Sequence, residues 1–460
     1  MTLGKPIRPR AIRPLLCALV LVLLGTGASA AAAPQAEGGE PFFPHAGSHD
    51  YNALNYRVRL VYSRQGRIKA VMSMRARART RLHTVKLDLD GLTVSQVKVD
   101  GGGERFSRGH EKLIVHLLDP IPAGERFKLT VFYAGRPRTV VDPDGSSEGW
   151  YPTADGVVAV GEPEGTAAWL PCNNIPADKA TFEAELIVPN GLTAVSNGRL
   201  TGVDREPGRR AFSWVEDSPM STYLAVVDIG PGKLVHAPVA GHPGWTLVDP
   251  KLAAHSRKAL SHLPGIIRFE SKLYGPYPFD AAGSIVADAP GLGYALETQD
   301  RPIYAFAPDL TTVVHETAHQ WFGDSVGLKR WPDIWLNEGF ATWTEWYYAE
   351  RHGGRSAAAT FHRLMQVPAS NRHLWKPPTG QPNTPAQLFG PPVYMRGAMT
   401  LQALRQKVGT KAMLTTLRRW ATSHRHGSGD TTEFIALAEK VSGQNLGPFF
   451  QRWLFTPGKP

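Results

Sequence analysis

The chain has 460 residues, 42% hydrophobic and 20% charged, with a formal charge of +11. These values fit a water-soluble globular protein of two or three domains, with ample length to build a core. They exclude two classes. There is no Lys/Arg block with interleaved aromatics, which argues against nucleic-acid binding, and two cysteines, Cys17 and Cys172, cannot form a disulfide framework once the first is removed with its segment.

Residues 1–14, MTLGKPIRPRAIRP, carry Lys5, Arg8, Arg10 and Arg13 and no acid. LLCALVLVLLGTG and ASAAAAP follow, giving a basic region, a short apolar run and an A-x-A cleavage site. This is the pattern of a Sec-type signal peptide over 1–32, and it predicts a secreted or cell-envelope protein. The run is shorter than the ~20 residues needed to span a bilayer, so no transmembrane segment is expected in the mature chain. The charge falls from +11 to +7 without these four cations. Cys172 then stands alone in WLPCNN, with no histidine nearby, and reads as a buried structural thiol.

Residues 33–48 are rich in small residues, Pro and Gly, and read as a flexible leader. From 49 to 238 the pattern is β. YRVRLVY (56–62), VKLDLDGL (85–92), VSQVKVDGGG (94–103) and FKLTVFYAG (127–135) alternate apolar and polar residues between Gly-rich turns. Asp100-Gly101 is a hairpin signal. The alternation predicts an antiparallel all-β saddle or sandwich. From 239 to 460 helical spacing dominates: over 250–275, Thr311–Phe322, Pro332–His352, Met395–Val408, Thr410–Ser423 and Thr431–Val441. Residues 368–392 are proline-rich and read as irregular. The fold class is therefore a multidomain α+β chain, an all-β domain followed by a mostly α domain.

HETAHQWFGD (315–324) raises the question of function. His315 and His319 are spaced i, i+4, so both project from one helix face and can take two corners of a tetrahedral zinc site. Glu316 stands beside the first, as a general base does in H-E-x-x-H. A catalytic zinc needs a third protein ligand and an open position. Glu338, with 18 residues between it and His319, could supply it, and on spacing alone so could Asp324 or Asp333.

VVHETAHQWFGDSVGLKRWPDIWLNEGFATW resembles the zinc site of the gluzincin aminopeptidases of the membrane alanyl aminopeptidase and leukotriene hydrolase family. The resemblance implies one zinc per chain held by His315, His319 and Glu338, with a zinc-bound water activated by Glu316. GLGYALETQDRP (291–302) is similar to the family's Gly-x-Met-Glu-Asn loop, which makes Glu297 the carboxylate for the substrate's free amine. Tyr294 stands where the loop glycine usually does, with Gly293 one place earlier, so the resemblance makes Gly293 an expected substrate contact. PPVYMRGAMTLQALR (391–405) resembles the Tyr-x-Lys-Gly segment, so Tyr394 is the expected oxyanion donor, with Arg396 in place of lysine. WLPCNNIPADKATFEAEL (169–186) is similar to a segment of the family's β domain, and Glu162 just before it would add a second charge to the amine pocket. FFQRWLFTPGKP closes the chain as the family's thermolysin-like catalytic domain closes, without the helical domain that many members append.

The expectation is thus a secreted zinc-dependent aminopeptidase acting on peptides with a free amino terminus. A zinc endopeptidase and a leukotriene-type epoxide hydrolase are alternatives on the same site. An exported non-catalytic binding module is an alternative of another class.

Overall fold

The computed structural model describes residues 40–109 and 111–460. The expected signal peptide and the first residues of the expected leader lie outside them. The rest of the leader corrects the expectation of flexibility, because residues 40–48 are packed down. The ring of Phe43 meets Trp331 edge-on at 6.3 Å. A Glu40 Oε2 accepts the Trp331 N–H at 2.9 Å, and Ser48 N–H donates to Asn173 Oδ1 at 2.7 Å. The apolar Phe43, set among prolines and glycines, supplies the burial that anchors this stretch.

The chain then builds a ten-stranded sheet. Its strand Tyr51–Tyr62 runs antiparallel to Ile68–Ala78 and parallel to Ala180–Pro189. The sheet is antiparallel, as expected, except at that one pair. Val58 and Leu60 point inward, while Arg57 and Arg59 point out and pair with Glu183 and Glu185 at 3.3 and 2.8 Å. Alternation in sequence thus becomes an apolar face and a charge-paired face. Asp100 and Gly101 form the expected tight hairpin. Both have positive φ, 49° and 92°, and Val99 pairs with Gly102 across them.

A five-stranded sheet follows, including Ser147–Pro152 and Val157–Val160. A second five-stranded sheet, Val235–His236, Gly244–Val248, Ala282–Val286, Ile303–Tyr304 and Ala295–Leu296, leads into the helices. These are α1 (Ala253–Leu260), α2 (Leu263–Tyr274), α3 (Leu310–His319), α4 (Trp335–Arg351), α5 (Ala357–Met365), α6 (Arg372–Trp375), α7 (Gly397–Val408), α8 (Thr410–Ser423), α9 (Thr431–Ser442) and α10 (Gly447–Phe450). Asp309 starts α3 by accepting the Thr312 N–H at 2.8 Å. This helix ends three residues before the expected Phe322; Gln320 still has helical backbone angles, and the left-handed residue that redirects the chain is Gly323, with φ 133°. Thirteen of the 17 residues of α4 are buried, Glu338 among them.

Arg396 is fully buried and bonds only backbone. Its guanidinium donates to the carbonyls of Trp375 (3.1 Å), Arg452 (3.2 Å), Trp453 (2.9 Å) and Thr456 (2.7 Å). A lysine has no fork with which to reach all four. Arg396→Met leaves these carbonyls unpaired in the interior. We expect it to lower the unfolding free energy by about 3 kcal/mol, read as a lower urea midpoint at unchanged m-value.

Candidate active site

His315 and His319 leave α3 one turn apart, and Glu338 meets them from the first turn of α4. Glu338 Oε2 lies 3.3 Å from His315 Nε2 and 3.5 Å from His319 Nε2. A tetrahedral ion with bonds of 2.0–2.1 Å separates its ligand atoms by about 3.4 Å, so the two distances match edges of such a site. The far ring nitrogens are occupied. His315 Nδ1 meets Glu345 Oε1 at 2.5 Å, and His319 Nδ1 meets the Phe322 carbonyl at 3.0 Å. These contacts orient each Nε2 toward the shared point and raise its basicity. Asp324 and Asp333, open on spacing alone, are outside this cluster. Asp333 accepts from Thr431 at the start of α9, and Asp324 is buried near Lys179.

A cavity of about 360 Å³ opens over the cluster, walled in part by Glu162, Glu297, Glu316 and Tyr394. Ligand atoms of Glu162, Glu297 and Glu338 lie within 4.8 Å of one another, as do those of Glu297, Glu316 and His319. One oxygen each of Glu162 and Glu297 is buried without a hydrogen-bond partner. Burial pushes Glu316 up to about 7 against the pull of His315 and His319. Burial also raises Glu162 and Glu297. At His319, burial disfavours the cation, but Glu297 and Glu338 prevail and raise it to about 9. At Glu338, burial is outweighed by His319 and His315, which hold the carboxyl down at about 2. A pocket that draws protons onto its imidazoles has carboxylates that demand positive charge. The donor set therefore fits a divalent ion on two neutral imidazoles and one carboxylate.

The Glu297 loop, where the sequence departs most from the family pattern, is braced from both sides. Gln320, the residue after His319, donates to the Glu297 carbonyl at 3.3 Å and accepts the Asp300 N–H at 2.7 Å. Asp300 accepts the Gly198 N–H at 2.6 Å, and Asn197 donates to the Gln299 carbonyl at 3.0 Å. Arg301 bonds the carbonyls of Trp245 (3.0 Å), Gly198 (2.8 Å) and Ser196. Tyr294 lines the cavity and donates to the Ser147 carbonyl at 2.8 Å. Gly293, an expected substrate contact, is not among the cavity-lining residues, whose wall on this loop begins at Tyr294. The larger side chain at 294 has taken that place.

Two glycines set the distance from Glu338 to Tyr394. A Cβ on Gly339 would stand 2.9 Å from Gly397 Cα, so α4 and the start of α7 touch backbone to backbone. Gly339 follows Glu338, and Gly397 closes the wide turn Pro392–Arg396 that carries Tyr394. The Tyr394 ring lies 6.1 Å from that of His315, nearly parallel. Burial, reinforced by Glu338, keeps its hydroxyl protonated and able to donate. Lys179 from the β domain secures the chain after α3, donating to the carbonyls of Asp324 (2.5 Å), Ser325 (3.0 Å) and Gly427 (3.1 Å).

A β domain ahead of a helical domain with this His–His–Glu centre defines a zinc metallopeptidase architecture. Residues 52–224 match the peptidase M1 N-terminal domain and residues 306–453 the peptidase family M1 domain. The chain belongs to the peptidase M1 family, and the ion of its centre is a single zinc. The leucyl aminopeptidase of Saccharolobus solfataricus is 27% identical over 422 residues, covering 82% of this chain and 50% of its own length. Aminopeptidase N of Canis lupus familiaris is 29% identical over 331 residues, covering 64% of this chain and 34% of its own. The chain thus spans half or less of these curated relatives. The M1 zinc metallopeptidase of Deinococcus radiodurans has a TM-score of 0.84 and 29% identity, over 92% of this chain and 98% of that one. A glutamate-to-alanine mutant of it, bound to a Tyr-Ser-Ala substrate, has a TM-score of 0.85 at 28% identity, over 92% of this chain and 99% of that one.

Sequence reasoning did not find Glu345 or Gln320. The signal for Glu345 is its place seven residues after Glu338, two turns along the same helix face. Removing its charge leaves His315 Nδ1 with a weaker acceptor. Glu345→Gln is expected to weaken zinc binding about 10- to 100-fold, measured by competition with a fluorescent chelator.

Proposed function

We propose that this chain is an exported zinc aminopeptidase that removes the first residue of peptides with a free amino terminus. The observation that carries this reading is the pair of unpartnered, buried carboxylate oxygens of Glu162 and Glu297 beside the metal ligands. An ammonium group supplies the hydrogens and the charge those atoms lack. An anchor so close to the metal fixes the scissile bond one residue from the amine, which is what separates an exopeptidase from an endopeptidase. The basic and apolar leader of residues 1–32 supports export. Among the described residues, no helix is long and apolar enough to cross a membrane.

His315, His319 and Glu338 would hold the zinc. Bound there, zinc supplies a Lewis acid that polarises the scissile carbonyl and acidifies water. Glu316 accepts the proton of the attacking water at its carboxylate and returns it to the leaving amine. Burial raises its carboxyl above the ordinary carboxylate range, which strengthens it as a base. Tyr394 donates its phenol hydrogen to the oxyanion as charge develops. Glu297 and Glu162 hold the ammonium still while this happens.

A peptide with a free amino terminus should be cleaved and its acetylated twin left intact, with released amino acid measured by chromatography. Equal cleavage of the two would overturn the exopeptidase reading in favour of an endopeptidase. Glu297→Gln leaves the ammonium facing a neutral amide and should lower kcat/KM on free-amine substrates by about two orders of magnitude. Glu316→Gln should lower kcat by about 10²- to 10⁴-fold with zinc content retained.

A further inference from the structure

Besides the buried amine-binding carboxylates, the cavity is lined by the apolar Ala295, Leu296 and Phe389 and, on its solvent-exposed side, by Asp144, with Ser146 next to it, both supplied by the β domain. No Lys or Arg lines the cavity. Asp144 lies in the turn between the strands Thr139–Val141 and Ser147–Pro152. Its Oδ1 accepts the Ser146 N–H at 2.8 Å and the Ser146 hydroxyl at 2.6 Å. Asp144 forms no ion pair among the described residues, so its charge is uncompensated by protein. The other acids of this turn are engaged inward. Asp142 and Glu148 share a hydrogen bond, and Glu148 also accepts the Glu164 N–H at 3.1 Å.

The turn is fixed to the amine-binding loop. Tyr294, in the place where the family pattern has glycine, donates to the carbonyl of Ser147 at 2.8 Å. Glycine has no side chain to make this link. The tyrosine therefore joins two features, the loop that carries Glu297 and the turn that carries Asp144, and makes them adjoining walls of one cavity of about 360 Å³.

From this arrangement we infer that the enzyme prefers substrates whose first residue is basic, and that Asp144 determines the preference. The inference rests on the aminopeptidase reading. With the ammonium held at Glu162 and Glu297, the first side chain runs along Leu296 and Phe389. Arginine or lysine lays its methylenes against that apolar wall and brings its charged head to the carboxylate at the mouth. A neutral chain of the same length gains the apolar contact alone. An acidic side chain enters a cavity already lined by Asp144, Glu162, Glu297, Glu316 and Glu338, and is repelled.

The test uses the zinc-loaded full chain and four aminoacyl-coumarin amides: arginyl, lysyl, norleucyl and glutamyl. Arginyl and lysyl substrates should exceed norleucyl in kcat/KM by about fivefold, the size of a half-exposed charge contact, and glutamyl should be poorest. Asp144→Asn should bring the Arg-to-norleucine ratio close to one, and Asp144→Lys should invert it. Salt at about 0.5 M should shrink the wild-type ratio, because exposed charges are screened. Zinc content of one per chain in each variant reports an intact centre. A ratio unaltered by Asp144→Asn or Asp144→Lys, or no preference for basic substrates in the wild type, would overturn the inference. These failures differ from failure of the aminopeptidase reading, in which free and acetylated amino termini are cleaved alike.

Discussion

Four glutamates, at 162, 297, 316 and 338, share one cavity, and the site depends on how their charge is met. Carboxylates placed together away from water repel one another and lose hydration. Two responses are visible. Glu338 is held ionised by the imidazoles, while Glu316, Glu162 and Glu297 are pushed toward protonation by burial. A divalent ion answers Glu338, and under the proposed function a ligand ammonium answers Glu162 and Glu297, leaving Glu316 free to carry a proton. On that reading metal binding and amine recognition are two settlements of a single electrostatic excess in one cavity.

Holding such a cluster requires rigid surroundings, yet much of it sits on loops. The chain solves this with buried cations that bond backbone carbonyls, Arg301 lying also 3.3 Å from the Asp300 carboxylate. Lys179, Arg301 and Arg396 each donate to three or four carbonyls of irregular segments. Loops carry carbonyls that no ladder satisfies, and a buried guanidinium can collect several at once. Burial lowers Lys179 to about 7, yet donating to three carbonyls takes all three hydrogens of its ammonium, so its hold on the chain after α3 depends on keeping the proton. The paired glycines at 339 and 397 do the complementary task by letting two backbones touch.

Local signals made much of this legible in the sequence. Alternation located the central strands, Asp100-Gly101 announced its hairpin, and the i, i+4 histidines predicted a shared helix face that the structure bears out. Other features lay beyond local reading. The packing of Phe43 and Glu40 depends on Trp331, far along the chain, so a Pro- and Gly-rich stretch looked free. The parallel pairing of Tyr51–Tyr62 with Ala180–Pro189 is likewise a long-range event. Glu345 is a polar residue on a helix until its neighbour across the fold is known to be His315. The Tyr294 substitution was visible, but only its bond to Ser147 explains how a loop without the usual glycine is kept in place.

The anchoring of Glu40 to Trp331 has a consequence for the order of assembly. The two groups are 291 residues apart, and closing so long a loop alone would cost roughly 5 kcal/mol of chain entropy. During synthesis the earliest described residues must wait until the segment leading into α4 has emerged, long after the ten-stranded sheet can pair. Glu338 stands seven residues after Trp331, so Glu40 and Phe43 are among the last described residues to lock onto the segment that leads to it. Completion of the centre is thereby linked to an amino-terminal stretch that folds late.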